Sequence, residues 1–137
     1  MTALLDTSVV MRYLTGEPAT SAAAVARLLD AGEAFVLTDA VILETAFVLR
    51  SQYRRSREEI VDVLLALIQH EAIVLDQIEA ETMTEALLMC RPSGRVSFGD
   101  ALIWARAVSR GDAEVVTADH RFPGERIVLR RIGPSAP

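Results

Sequence analysis

Short apolar runs alternate with amphipathic stretches along most of this chain. Thr2 to Leu5 is an apolar run ending at Asp6 and reads as a buried strand. Thr7 or Ser8 can then cap a helix to about Leu14, with Val9, Val10, Tyr13 and Leu14 along one face. Gly16 and Pro18 interrupt it, and Ser21 to Leu29 predicts a second helix closed near Gly32. Ala34 to Leu37 is the next strand, followed by a helix from about Ala40 to Tyr53. In the RRSREE stretch, Ser56 and Glu59 are spaced as a capping box for a helix to about Gln69. Ile73 to Leu75 predicts a third strand. Glu79 to Cys90 predicts a helix stopped by Arg91, Pro92 and Gly94. Ser97-Phe98-Gly99-Asp100 opens a further helix that Gly111 closes. Glu114 to Thr117 is a fourth strand and Ile127 to Leu129 a candidate fifth.

Strands that are short apolar runs, alternating with helices, argue for an α/β protein with a parallel sheet covered by helices on both faces. The 137 residues suit one domain, expected over 1–132 with a frayed tail at 133–137, and no linker or internal repeat divides them. The chain is 51% hydrophobic but only 5% aromatic, so the core is expected to be aliphatic. Mean hydropathy of +0.29 leaves room for an apolar surface covered by a partner. No run reaches the ~18 apolar residues of a membrane span, the N-terminus lacks the basic region of a signal peptide, and Cys90 stands alone. A cytoplasmic protein is the expectation. The net charge of −5 disfavours nucleic acid as a partner of the whole surface, yet every basic residue is Arg, which suits bidentate phosphate recognition.

The candidate chemistry begins with Glu44. The run AVILETAFVL reads as the middle of a buried helix, where an unpaired carboxylate costs several kcal/mol. Val41, Phe47 and Val48 at helical spacing offer it no salt bridge. Open α/β sheets bind ligands beyond the carboxyl ends of their strands. Asp6 follows the first strand, Asp119 follows the fourth, and Asp100 lies in the first turn of a helix. Each has a plain alternative: a helix cap for Asp6, a dipole partner for Asp100, a turn residue for Asp119. Together with Glu44 they could meet at one rim. Clustered carboxylates hold either protons or cations. An oxygen-only donor set favours Mg²⁺ or Mn²⁺, and such sites most often serve phosphoryl transfer or phosphodiester hydrolysis.

The stretches LLDTSVV, VILETAFVLRSQY, FGDALIWARA and VVTADHRF, in that order over nearly the whole chain, resemble the PIN-domain family, and most closely its VapC-type toxins. The resemblance implies a three-layer α/β/α sandwich with a central parallel sheet. It implies an endoribonuclease dependent on Mg²⁺, or Mn²⁺, with Asp6, Glu44, Asp100 and Asp119 at the four acidic positions. Asp6 and Asp100 would be direct metal ligands, with Glu44 and Asp119 completing the shell. Ser8 and Thr117 match supporting polar positions. Many relatives carry a further Asp where this chain has Ser97, which leaves one-metal and two-metal action both open. The resemblance also implies a homodimer and a VapB-type antitoxin that masks the site, with DNA engaged only through that antitoxin. Arg12, and after it Arg54, Arg55 and Arg57, are candidates for contact with RNA or antitoxin, against the alternative of solvated surface arginines.

Other residues are expected to be structural. His120 reads as a surface loop residue, His70 as a helix cap, Cys90 as an inert buried thiol and Trp104 as core or dimer interface. A haloacid-dehalogenase-like phosphatase would need a second acid where Ser8 stands. A PIN-like module that binds a partner without cutting RNA is the main alternative.

Overall fold

The structure, a computed structural model, describes residues 2–92 and 95–133. The chain divides into two compact units, Met1–Asp76 and Gln77–Pro137. The stop expected at Gly94 and the tail 134–137 lie outside the described residues.

In the first unit the order is β1 (Ala3–Leu4), α1 (Thr7–Thr15), α2 (Ala19–Asp30), β2 (Phe35–Leu37), α3 (Asp39–Ser51), α4 (Arg57–Ile68) and β3 (Ile73–Leu75). The three strands form one parallel sheet in the order β1-β2-β3, with Leu4 opposite Val36 and Val36 opposite Val74. Parallel neighbours need crossovers, and the helices supply them. The core is aliphatic, with Val10, Leu37, Ile42, Leu49, Ile60, Val61 and Leu64 all buried. α4 starts at the expected capping box. The Glu59 amide donates to Ser56 Oγ and the Ser56 amide to Glu59 Oε1, both at 3.1 Å.

His70 does not cap α4, whose C-cap is Gln69. Its Nδ1 accepts the Ala72 amide at 3.0 Å and so shapes the turn into β3. Its ring meets Tyr13 edge-on and lies 3.6 Å from the Asp30 carboxylate.

The second unit contains α5 (Ala80–Cys90), α6 (Phe98–Arg110), β4 (Glu114–Thr117) and β5 (Val128–Arg131). β4 and β5 pair in parallel, with Thr117 opposite Arg131. The last strand thus runs two residues beyond the stretch expected from sequence. Polar Arg130 and Arg131 hide it from a search for apolar runs. Trp104 is fully buried in α6, its Nε1–H donating to Glu125 O at 2.7 Å. Arg126 lies 5.4 Å from the centre of its ring and pairs with Glu85 at 2.9 Å. The Cys90 thiol is fully buried at the end of α5. All strand pairing among the described residues is parallel and six helices accompany it, as the α/β expectation requires.

Candidate active site

Asp100 stands on the first turn of α6. Ser97 is the N-cap in extended geometry, and its Oγ accepts the Asp100 amide at 3.0 Å. Ser97 therefore starts the helix that carries Asp100. Gly111 in the left-handed region closes that helix as expected.

Asp100 is half-buried and Asp119 exposed, and the two carboxyls are close enough to interact. Burial raises the Asp100 pKa above its ordinary 3.8. Repulsion from the Asp119 carboxylate raises it further, a hydrogen bond from Ser97 opposes, and a hydrogen bond shared with Asp119 adds to the rise. Two carboxyls so placed share a proton or hold a cation. Their oxygen-only chemistry fits a hard divalent ion. Among the described residues no group of three His, Cys, Asp or Glu side chains is gathered closely enough to hold a metal ion. The second unit offers this pair.

Asp119 is set by the loop after β4. Its amide donates to Thr117 Oγ1 at 3.0 Å, and its Oδ1 accepts the Arg121 amide at 2.8 Å, an Asx-type turn. Thr117 thus shapes the Asp119 loop. Arg131, from the neighbouring strand, donates through Nη1 to the Asp119 carbonyl oxygen. This brace is not visible in the sequence, because it depends on the β4–β5 register. The Asx turn realises the turn-residue alternative that the sequence offers for Asp119.

In the first unit Asp6 is the N-cap of α1, a position assigned from sequence to Thr7 or Ser8. Its Oδ2 accepts the Ser8 hydroxyl at 2.5 Å and the Ser8 amide at 3.4 Å. The Ser8 side-chain bond, then the Ser8 amide, hold its pKa below the ordinary value. Slight desolvation opposes them, and the Thr7 amide and the Arg12 charge add to the lowering. Ser8 therefore supports Asp6 directly. The plain reading of Asp6 as a helix cap is realised, and the carboxylate remains exposed and ionised. Arg12 donates from Nη1 to Ser8 O at 2.9 Å. Arg55 pairs with Glu59 at 3.4 Å.

Glu44 corrects the premise drawn from its neighbours. It is exposed, as are Leu43 at 42% and Phe47 at 67%. The buried stripe of α3 is Ile42, Thr45, Ala46 and Leu49. Glu44 lies two residues from Ile42, about 200° around the helix, and so faces away from that stripe. A helix apolar all round does not reveal from sequence which stripe is inward. Burial therefore does not explain this carboxylate.

Neither a curated protein nor a solved structure matches the chain significantly. The model of the PIN domain family matches residues 3–124 and includes Asp6, Glu44, Asp100 and Asp119. PIN domains are generally nucleases and typically use divalent metals. Matched over most of its length, this chain belongs to the PIN domain family.

Proposed function

We propose that the protein is a divalent-metal-dependent endoribonuclease, and that it is the VapC-type toxin of a toxin–antitoxin pair. The observation that carries the nuclease reading is the Asp100–Asp119 pair, whose mutual repulsion and partial burial a cation would relieve. Mg²⁺ or Mn²⁺, when bound, supplies Lewis acidity that lowers the pKa of water and offsets charge at the phosphodiester. Asp100 and Asp119 would hold the ion, and the family resemblance assigns Asp6 and Glu44 as the remaining carboxylates. Ser97 fixes the helix turn under Asp100, Thr117 shapes the loop of Asp119, and Ser8 keeps Asp6 ionised. The family match crosses the boundary between the two units, which supports residues 1–132 acting as one PIN domain.

The toxin assignment rests on the resemblance of the four sequence stretches. It brings a VapB-type antitoxin, RNA as substrate, homodimerisation, DNA contact only through the antitoxin, and a cytoplasmic location. No helix among the described residues is long and apolar enough to cross a membrane.

The test is cleavage of an end-labelled RNA pool by the isolated protein with Mg²⁺, with Mn²⁺ and with EDTA, beside Asp100→Asn. Metal-dependent cutting that the variant loses supports the reading. A second reading, a PIN-like binding module that cuts nothing, draws on Ser97 standing where many relatives have an acid. Metal-induced stabilisation without cutting of any RNA would favour it.

A further inference from the structure

We propose that Arg121 is an anchor for a phosphate of the RNA backbone, an inference that rests on the ribonuclease reading. The segment that carries Arg121 is held on both sides. Its amide is fixed to Asp119 Oδ1 at 2.8 Å. The next residue, Phe122, is buried at 5% exposure and donates its amide to Asp119 O at 3.4 Å. Arg131 holds the same carbonyl from β5, and the Ile132 amide ties β5 to Thr117 O at 2.9 Å. Arg121 is thus rooted two residues from one acid of the Asp100–Asp119 pair on a braced loop.

Its charge is unspent. Arg110, Arg126 and Arg130 each pair with a carboxylate of the same unit. Arg121 is exposed and has no side-chain partner among the described residues. Asp119 is the nearest acid in sequence, but its Oδ1 takes the backbone amide of Arg121 and leaves the guanidinium available. The unit itself is permissive: residues 77–137 hold eight arginines and eight carboxylates, so the −5 of the chain resides in residues 1–76. A planar guanidinium gives phosphate a bidentate, charge-assisted contact. Phosphate contacts fix the register of a nucleic acid without reading its sequence. Arg121 would therefore be a binding residue that positions the strand, indifferent to base.

The experiment is fluorescence anisotropy of a short labelled oligoribonucleotide of mixed sequence. It uses full-length protein carrying Asp100→Asn with Mg²⁺ present, over a salt series. Adding Arg121→Ala should weaken binding on the order of tenfold. It should also reduce the slope of log affinity against log salt by about 0.7, the release of one single-strand phosphate. Arg121→Lys should keep the slope and lose part of the affinity. Arg110→Ala removes the same formal charge from a residue paired with Asp112 and should leave the slope unchanged. Equal effects of Arg121→Ala and Arg110→Ala, or none from Arg121→Ala, would overturn the anchor while the nuclease reading stands. If wild-type protein neither cuts RNA nor binds it in a salt-dependent way, the nuclease reading fails and the anchor with it. Unchanged melting temperatures for the arginine variants separate lost contact from lost fold.

Discussion

Eleven carboxylates face six arginines in residues 1–76, whereas residues 77–137 carry eight of each. The two regions also treat their aspartates differently. Asp6 is exposed, and Ser8 hydrogen bonds favour its ionised form. Asp100 is half-buried beside a second carboxyl that disfavours ionisation. The acid-rich region thus accommodates Asp6 by solvation and capping. The charge-balanced region holds a half-buried carboxyl beside a second one, a pairing that a cation would relieve. Total charge is therefore a poor guide to where a cation would bind; local crowding decides.

The largest expected effect tests that contrast directly. Asp100→Asn should lower RNA cleavage by at least ~100-fold, beyond the 10–100-fold typical of residues that only support a ligand. Initial rates on labelled RNA at saturating Mg²⁺ measure it. Full activity in the variant would remove the second region from the chemistry.

The next prediction concerns pH in EDTA. Asp100 has a raised pKa, so its contribution to stability is complete below 3.8 and lost as pH rises through its folded value. Asp6 has a lowered pKa, so its contribution is complete above 3.8 and lost as pH falls through its folded value. Melting curves from pH 3 to 7 should therefore show Asp100→Asn gaining on wild type as pH rises, and Asp6→Ala losing. Parallel curves for both variants would erase the contrast.

At neutral pH without metal, Asp100→Asn should melt about 1–3 °C above wild type, a modest rise because solvent screens the pair. Excess Mg²⁺ should reverse the order, since only wild type gains binding energy from the ion. The smallest effect is confined to the first region. Thr45 is fully buried on α3, and its hydroxyl has no hydrogen-bond partner among the described residues. Thr45→Val keeps the shape, removes the orphaned oxygen, and should stabilise by roughly 1 kcal/mol in urea denaturation. A loss of stability would mean that the hydroxyl has a partner after all.

Much of the fold was legible because its signals are local. Apolar runs mark β1 to β4, the Ser56–Glu59 spacing marks the start of α4, and Gly111 marks the end of α6. The rule that α/β sheets gather chemistry at strand ends led to an expectation of four acids at one rim, of which Asp100 and Asp119 are seen to interact. What stayed hidden depends on packing or register. Glu44 was misjudged because α3 is apolar around its circumference, and only tertiary packing selects its inward stripe. Asp6, rather than Thr7 or Ser8, is the N-cap because three adjacent residues are all of capping type and sequence alone does not fix which one starts the helix. Arg131 could not be tied to Asp119 from sequence, since twelve residues separate them and only the ladder aligns them.

That last bond bears on where the protein can be cut. The family match ends at residue 124, after the last of the four acids. A fragment trimmed there would keep every carboxylate yet lose β5, the strand that clasps the Asp119 loop. The working boundary of the site therefore lies past the boundary of the recognisable family. An expression fragment meant to preserve the Asp119 loop should run at least through Ile132, whose amide closes the clasp on Thr117.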